Sequence, residues 1–412
     1  HSRMRTPRWS AAAALGAMTT WLILTASVCA QATWSRTPSN TAELLNAVAH
    51  GNGLWAAVGE NGALVTSLDA STWTQGNSGT SDTLRAIVHD GAHFVAAGRN
   101  GTLQTSPDGN TWSDRNTGVT ALLSGLAHGD GLHVAVGANG TVITSPDAVT
   151  WTTRFSRTSE FLQGIHHGAG LFVAVGSSGK IVTSPDGITW SDANSNTSSF
   201  LVGGGYFAGR HYVVGQDGVI ASSANGSNWF LETSGTLARL RAFTTDGTTA
   251  LVCGDDGTLL KSTDGAAWAP VSSGQSVILA GAAFADNRFV VVGEPVANDG
   301  LIIVSERDPG LVWETPILSV GEADGSITLT IRRLGPTTSA AAVAFQTASG
   351  TATEGVDFTP STGTKTIPAG ESTVDLTINI TENPEEELPE TFTVTLSAPD
   401  PATLVLYNPA VA

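Results

Sequence analysis

Four histidines, His50, His89, His128 and His167, stand 39 residues apart. Imidazole is the commonest metal ligand, so a recurring set invites a metal-centre reading. Equal spacing argues the other way: each His precedes a turn of its own repeat copy, and ligands on separate copies need not converge on one ion. Glycine pairs such as Gly137/Gly140 have the composition of a phosphate-cradling loop. No helix follows them, so they read as hairpin turns rather than a dinucleotide fingerprint. The phenol candidates for nucleophilic chemistry are Tyr206, Tyr212 and Tyr407. Tyr206 falls where other copies carry His, and Tyr212 falls in a strand slot otherwise filled by Phe or Val. Cys253 stands in for Val or Ala in a strand pattern and reads as a buried, inert thiol.

What must position these residues is a repeat. Trp34, Trp73, Trp112, Trp151, Trp190, Trp229 and Trp268 keep a step of 39, as do Gly59, Gly98, Gly137, Gly176, Gly215, Gly254 and Gly293. In the third copy, apolar runs at residues 122–128, 132–136 and 141–144 are separated by Gly129-Asp130-Gly131 and Gly137-Ala138-Asn139-Gly140. Ser145-Pro146-Asp147-Ala148 makes a third turn, and Trp151 opens a fourth strand. Four antiparallel strands in about 40 residues make a propeller blade, and a blade cannot bury both faces without neighbours. Residues 33–308 are therefore expected to form a seven-bladed β-propeller. The seventh blade lacks a fourth strand of its own, and the strand at Trp34 has the register to supply it by pairing with residues 301–304.

The third turn recurs as Ser106-Pro107-Asp108-Gly109-Asn110-Thr111-Trp112, Ser184-Pro185-Asp186-Gly187-Ile188-Thr189-Trp190 and Ser262-Thr263-Asp264-Gly265-Ala266-Ala267-Trp268. It resembles the Asp-box of bacterial neuraminidase repeats, one residue shorter than the usual spacing. Similar repeats fill the propellers of photosystem II assembly factors. The Asp is expected to accept N–H bonds inside its turn, the Gly to supply positive φ, and the Trp to pack between blades. Sialidase chemistry would further need an arginine cluster, a Tyr nucleophile with an acidic partner, and a general acid. No Arg-Ile-Pro segment is present, and the connections are short and uniform. The one insertion is residues 294–300.

Past residue 305 the period fails. Alternating runs such as Ser326-Ile327-Thr328-Leu329-Thr330-Ile331 and Thr373-Val374-Asp375-Leu376-Thr377-Ile378 indicate a β-sandwich over residues 309–412, with Trp313 on its first strand. Four segments resemble the Calx-β domain: Ser319-Val320-Gly321-Glu322-Ala323-Asp324-Gly325, Thr351-Ala352-Thr353-Glu354-Gly355-Val356-Asp357-Phe358, Ile367-Pro368-Ala369-Gly370-Glu371, and residues 387–397. The resemblance implies an immunoglobulin-like sandwich with Ca²⁺ held between loops at one end by Glu322, Asp357, Glu382, Glu387 and Glu390. Hard cations take six to eight oxygens, which several acidic loops can provide. Two departures weaken that set. Glu382-Asn383 stands where the family often has an Asp-Asp pair, and the final strand with its acids is missing, which leaves an incomplete sandwich and an open edge.

The formal net charge is −17, and residues 310–412 hold thirteen acids against three bases. No basic stripe exists to neutralise phosphates, which excludes a nucleic-acid partner. Met4 is the expected start. Arg5 and Arg8 precede an uncharged, mostly apolar run at residues 11–28, with small residues at Ala30 and Ala32, so residues 1–32 read as a signal peptide with upstream residues. Were that run uncleaved, it would anchor the chain in a membrane. The expected protein is all-β, secreted or at the cell surface, non-catalytic, and binds a protein or glycan. An exported sialidase-like hydrolase and an envelope complex assembly factor are the alternatives.

Overall fold

The computed structural model describes residues 34–305, 310–314, 318, 320, 324–334, 340–381, 390–397, 405–407 and 410–411. Residues 1–32, read above as a signal peptide, lie outside them, as do Glu322, Glu382 and Glu387.

Seven four-stranded sheets use the chain from Trp34 to Ser305. The third is typical: Leu123–Gly129, Leu132–Gly137, Val142–Ser145 and Thr152–Arg154, in sequence order. The first strand of each sheet lies beside the first strand of the next, and the first and seventh sheets also touch, so the seven form a closed ring. Backbone crowding explains the glycine pairs. A Cβ on Gly137 would sit 1.8 Å from the Leu122 carbonyl oxygen, and one on Gly140 would sit 1.9 Å from that of Thr158. Gly140 also has φ +68°, following Asn139 at φ 57°, a left-handed pair that closes the turn.

The recurring tryptophans each reach back to the preceding blade. Trp73 packs with Val290 and Ile302 of blade seven, Trp190 with Val134 and Val136 of blade three, and Trp268 with Phe207 and Val214 of blade five. Removing such a ring costs roughly 3–5 kcal/mol. The turn before each Trp is built as its sequence suggests. Asp147 Oδ1 accepts the Val149 and Thr150 N–H groups at 2.9 and 2.8 Å, and the Ser145 hydroxyl donates to it at 2.9 Å. Trp190 Nε1 donates to the Gly187 carbonyl at 3.1 Å. These N–H bonds hold the carboxyls of Asp147 and Asp186 down at about 2. In blade five Asn225 fills the Asp position and accepts the same two N–H bonds, at 3.0 and 3.1 Å.

The ring closes through Trp34–Arg36, which pairs antiparallel with Asp299–Ser305: Trp34 opposite Ser305, Ser35 opposite Val304, Arg36 opposite Ile303. The one insertion serves this closure. Val296 pairs with Asp299 in a small hairpin. Asp299 Oδ1 then accepts the Ser39 hydroxyl at 2.7 Å and the Ser39 and Asn40 N–H groups at 3.0 and 3.2 Å, while Oδ2 meets Arg36 at 3.3 Å.

The remaining strands form two further sheets. One orders Thr373–Asn379, Ser326–Leu334, Gly310–Trp313 and Val405–Tyr407; the other orders Thr362–Ile367, Ala341–Ser349, Phe392–Ser397 and Ala410–Val411. Alternation puts Ile327, Leu329 and Ile331 inside one core with Trp313, Val343 and Phe345, and Phe358 stacks on Phe392 at 4.5 Å. Where the sequence leads one to expect an open edge, strands of three and two residues pair with Gly310–Trp313 and Phe392–Ser397.

Because Asp299 satisfies several donors at the ring junction, Asp299→Ala should lower unfolding stability by about 2 kcal/mol. Urea denaturation followed by tryptophan fluorescence checks this, and an unchanged midpoint would mean that the junction does not depend on that carboxylate.

Candidate functional site

The first strand of every blade carries one surplus residue. In blade one Leu45 opposes Gly59 but Ala47 opposes Val58, so Asn46 is bulged out of register. The same shift recurs at Arg85, Ser124, Gln163, Val202, Arg241 and Ala280. A bulge re-aims its side chain. Here all seven bulged residues line one cavity of about 540 Å³ that draws on the first strand of every blade, at one end of the ring's axis. Ala47, Ala86, Gly125, Gly164, Gly203, Ala242 and Gly281 follow the bulges. Their smallness has a cause: a Cβ on Gly164 would stand 2.3 Å from the Val202 carbonyl oxygen, and one on Gly281 would stand 2.7 Å from that of Asn46.

Three arginines line the cavity, Arg85, Arg239 and Arg241, and among its lining residues there is no aspartate or glutamate. Arg85 Nη1 donates to Asn46 Oδ1 at 3.2 Å, and Asn46 Nδ2 donates to the Leu84 carbonyl at 2.8 Å. Arg241 is ion-paired with Asp255. Arg239 lies over the Phe200 ring, 5.2 Å from its centroid, and its Nε is buried with no hydrogen-bond partner among the described residues. Burial draws Arg85 and Arg239 below the ordinary guanidinium value; the charge of Arg241 pushes both the same way, opposed by Glu60 at Arg85 and by Asp255 at Arg239. A guanidinium starts so high that both remain cations at neutral pH.

The recurring histidines sit near the other ends of these first strands, against the second strands: His50 on Trp55, His89 on Phe94, His128 on His133 and His167 on Phe172, with ring centroids 4.4–4.8 Å apart. They also bridge blades. His50 Nε2 is 3.2 Å from Asp286 Oδ2, and His167 Nε2 is 3.0 Å from Asp130 Oδ2. The rings of His89 and His167 fill the space where Gly51 and Gly129 have no side chain. Tyr206 packs on His211, while Tyr212 is buried against Phe243 and Trp268, where burial raises its phenol. Burial also pushes the Cys253 thiol up to about 12, which leaves it protonated and unreactive at neutral pH. Tyr407 ends the strand Val405–Tyr407.

Of the five proposed calcium ligands, Asp357 and Glu390 are described. Asp357 is half-buried and its Oδ2 accepts the Thr353 N–H at 2.6 Å, while Glu390 is exposed. Among the described residues, no group of three His, Cys, Asp or Glu side chains could hold a metal ion. The other three, Glu322, Glu382 and Glu387, lie outside the described residues. The cavity arginines were missed by sequence reading. Superposing the seven copies and asking where the repeat varies in chemistry would have found Arg85 and Arg241, which share one column with Asn46, Ser124, Gln163, Val202 and Ala280.

Residues 308–412 match the Calx-beta domain family. For the propeller, similar solved structures are YCF48 bound to a D1 peptide (18% identity, TM-score 0.55) and YCF48 from Cyanidioschyzon merolae (16%, 0.55). Each covers 66% of this chain, and this chain covers 94% and 99% of theirs. The WD40 propeller domain of Doa1 is similar at 12% identity and TM-score 0.54, covering 66% of this chain and 96% of its own. At such identities the likeness shows the propeller fold. A comparison with curated proteins finds no match.

Two buried histidines near the cavity give a pH test. His166 Nε2 and His211 Nδ1 are 3.2 Å apart, and burial, then His211, holds His166 down to about 3 from its ordinary 6.5. Its pKa is depressed in the folded state, so its contribution is present above pH 6.5 and is lost as pH falls toward 3. Urea midpoints should drop between pH 7 and pH 4, and His166→Gln should flatten part of that slope. Parallel slopes for the two proteins would show that His166 is not held neutral by the fold.

Proposed function

We propose that this chain is an exported, non-catalytic binding protein at or outside the cell surface, whose propeller engages a protein or glycan partner. The observation that carries this reading is the use made of the one insertion. Residues 294–300 lock the ring through Asp299 rather than build a lid or a catalytic loop. The other blades repeat short connections, and enzymes usually set their catalytic groups on long, individual loops. A concave feature offered by such a molecule is the arginine-lined end of the axis. Export is supported by Arg5, Arg8 and the apolar run at residues 11–28.

A protein partner, as in an assembly factor for an envelope complex, is favoured by one finding: a neighbouring propeller, YCF48, is bound to a D1 peptide. The C-terminal region would act as a spacer, with a weak calcium site formed by Glu322, Asp357, Glu382, Glu387 and Glu390. The Calx-beta match supports that, and the altered ligand positions set its affinity on the order of 10⁻⁴–10⁻³ M.

The purified chain should hydrolyse no sialoside or other common glycoside. Folded, but not heat-denatured, protein should bind saturably on a peptide or glycan array. Turnover abolished by one acid-to-amide change on the propeller would overturn the reading. Millimolar Ca²⁺ should raise the melting temperature relative to chelator, with Asp357→Asn removing the difference. No response at several millimolar would remove calcium from the account.

A further inference from the structure

We propose that the bulge-lined end of the propeller axis binds a small organic anion, a carboxylate or phosphate carried on an apolar body. This deepens the binding-protein reading and rests on it. The chain holds 19 Lys and Arg against 36 Asp and Glu, yet three of its arginines line one cavity whose lining includes no acid. Arg85 belongs to blade two and Arg241 to blade six, which stand three places apart round the ring, so positive charge faces the axis from different sides. The self-repulsion of such a set is relieved by an anion between its members.

Structural duties do not use up these groups. Among the described residues Arg241 has Asp255, but Arg85 donates only to the neutral Asn46 amide, and Arg239 keeps a buried Nε without a hydrogen-bond partner. An orphaned buried donor is destabilising, more so when charged. An oxyanion reaching Arg239 would supply the missing acceptor, and guanidinium matches carboxylate and phosphate with paired N–H bonds.

The rest of the wall sets the ligand's size and body. About 540 Å³ lies within the range of small-molecule sites and far exceeds a bare inorganic anion. Leu122, Phe161 and Ile165 supply apolar surface, while Gln163 and Ser124 stand in the same bulge ring as the arginines. Ser124 Oγ already donates to the Leu162 carbonyl at 2.7 Å, which fixes the rim between two blades.

The test is calorimetric titration of the full chain with phenyl phosphate, benzoate, inorganic phosphate and neutral benzamide. Phenyl phosphate and benzoate should bind saturably and more weakly as salt rises; inorganic phosphate should bind less tightly, and benzamide should not bind. Arg85→Gln and Arg239→Gln should each weaken phenyl phosphate about tenfold, as expected for a lost charge-assisted hydrogen bond, and Arg332→Gln, on the sandwich, should not. If a glutamine variant fails to fold, Arg239→Lys keeps the charge but not the paired geometry and should still weaken binding. Absence of saturable binding, salt-independent binding, equal affinity for benzamide or inorganic phosphate, or equal affinity in the arginine variants would overturn the proposal. Loss of anion binding beside intact array binding would sink this inference alone; loss of both would sink the binding-protein reading as well.

Discussion

Each blade of this protein buries its inner layer against a neighbour, so the whole ring depends on one pairing between residues roughly 270 positions apart in the chain. Trp34–Arg36 gives blade seven its outer strand, and Trp34 joins the core shared by blades six and seven. Without it, Asp299–Ser305 would present an unpaired edge, and the first and last blades would meet with nothing to hold them. Asp299 reinforces the junction from the insertion, which gathers the donors of Ser39, Asn40 and Arg36. Closure fixes the blade number, and the blade number fixes the distance between the seven first strands.

That distance explains the axis. Seven first strands approach closely enough that the position after each bulge is always Gly or Ala. The bulge places one residue per blade toward the axis, and this column is free to vary because its side chain packs into no inter-blade core. Asn, Arg, Ser, Gln, Val, Arg and Ala occupy it in turn. A uniform scaffold thus carries a non-uniform ring, and chemical individuality sits in this ring rather than in long loops. The acidity of residues 310–412 lies on the other domain, so the basic character of the channel end is local and owes nothing to the net charge.

Much of this was legible in the sequence because the repeated residues have repeated jobs. A Trp every 39 residues reports inter-blade packing, an Asp before it reports a turn that needs an acceptor, and a surplus Trp34 reports a closing strand. The bulge ring was not legible for the opposite reason. Its register shift adds a residue to every copy alike, so the period conceals it, and apart from Arg85 and Arg241 the column holds a different residue in every blade. The role of Asp299 was hidden too, since only the folded ring brings it beside Ser39. For the calcium ligands, a resemblance named five acids, and three of them fall outside the described residues; Asp357 is spoken for in part by the Thr353 N–H.

Ring closure is the claim on which the fold and the channel both stand, and native-state hydrogen exchange measures it most directly. The Thr37 amide, which donates to the Ile302 carbonyl at 3.0 Å, should be as protected as those of the central strand Arg288–Val296, exchanging only with global unfolding of the propeller. Exchange of the Thr37 amide at the rate of a free peptide, while Val290, Val291 and Val292 stay protected, would show that the ring does not close through its N-terminal strand.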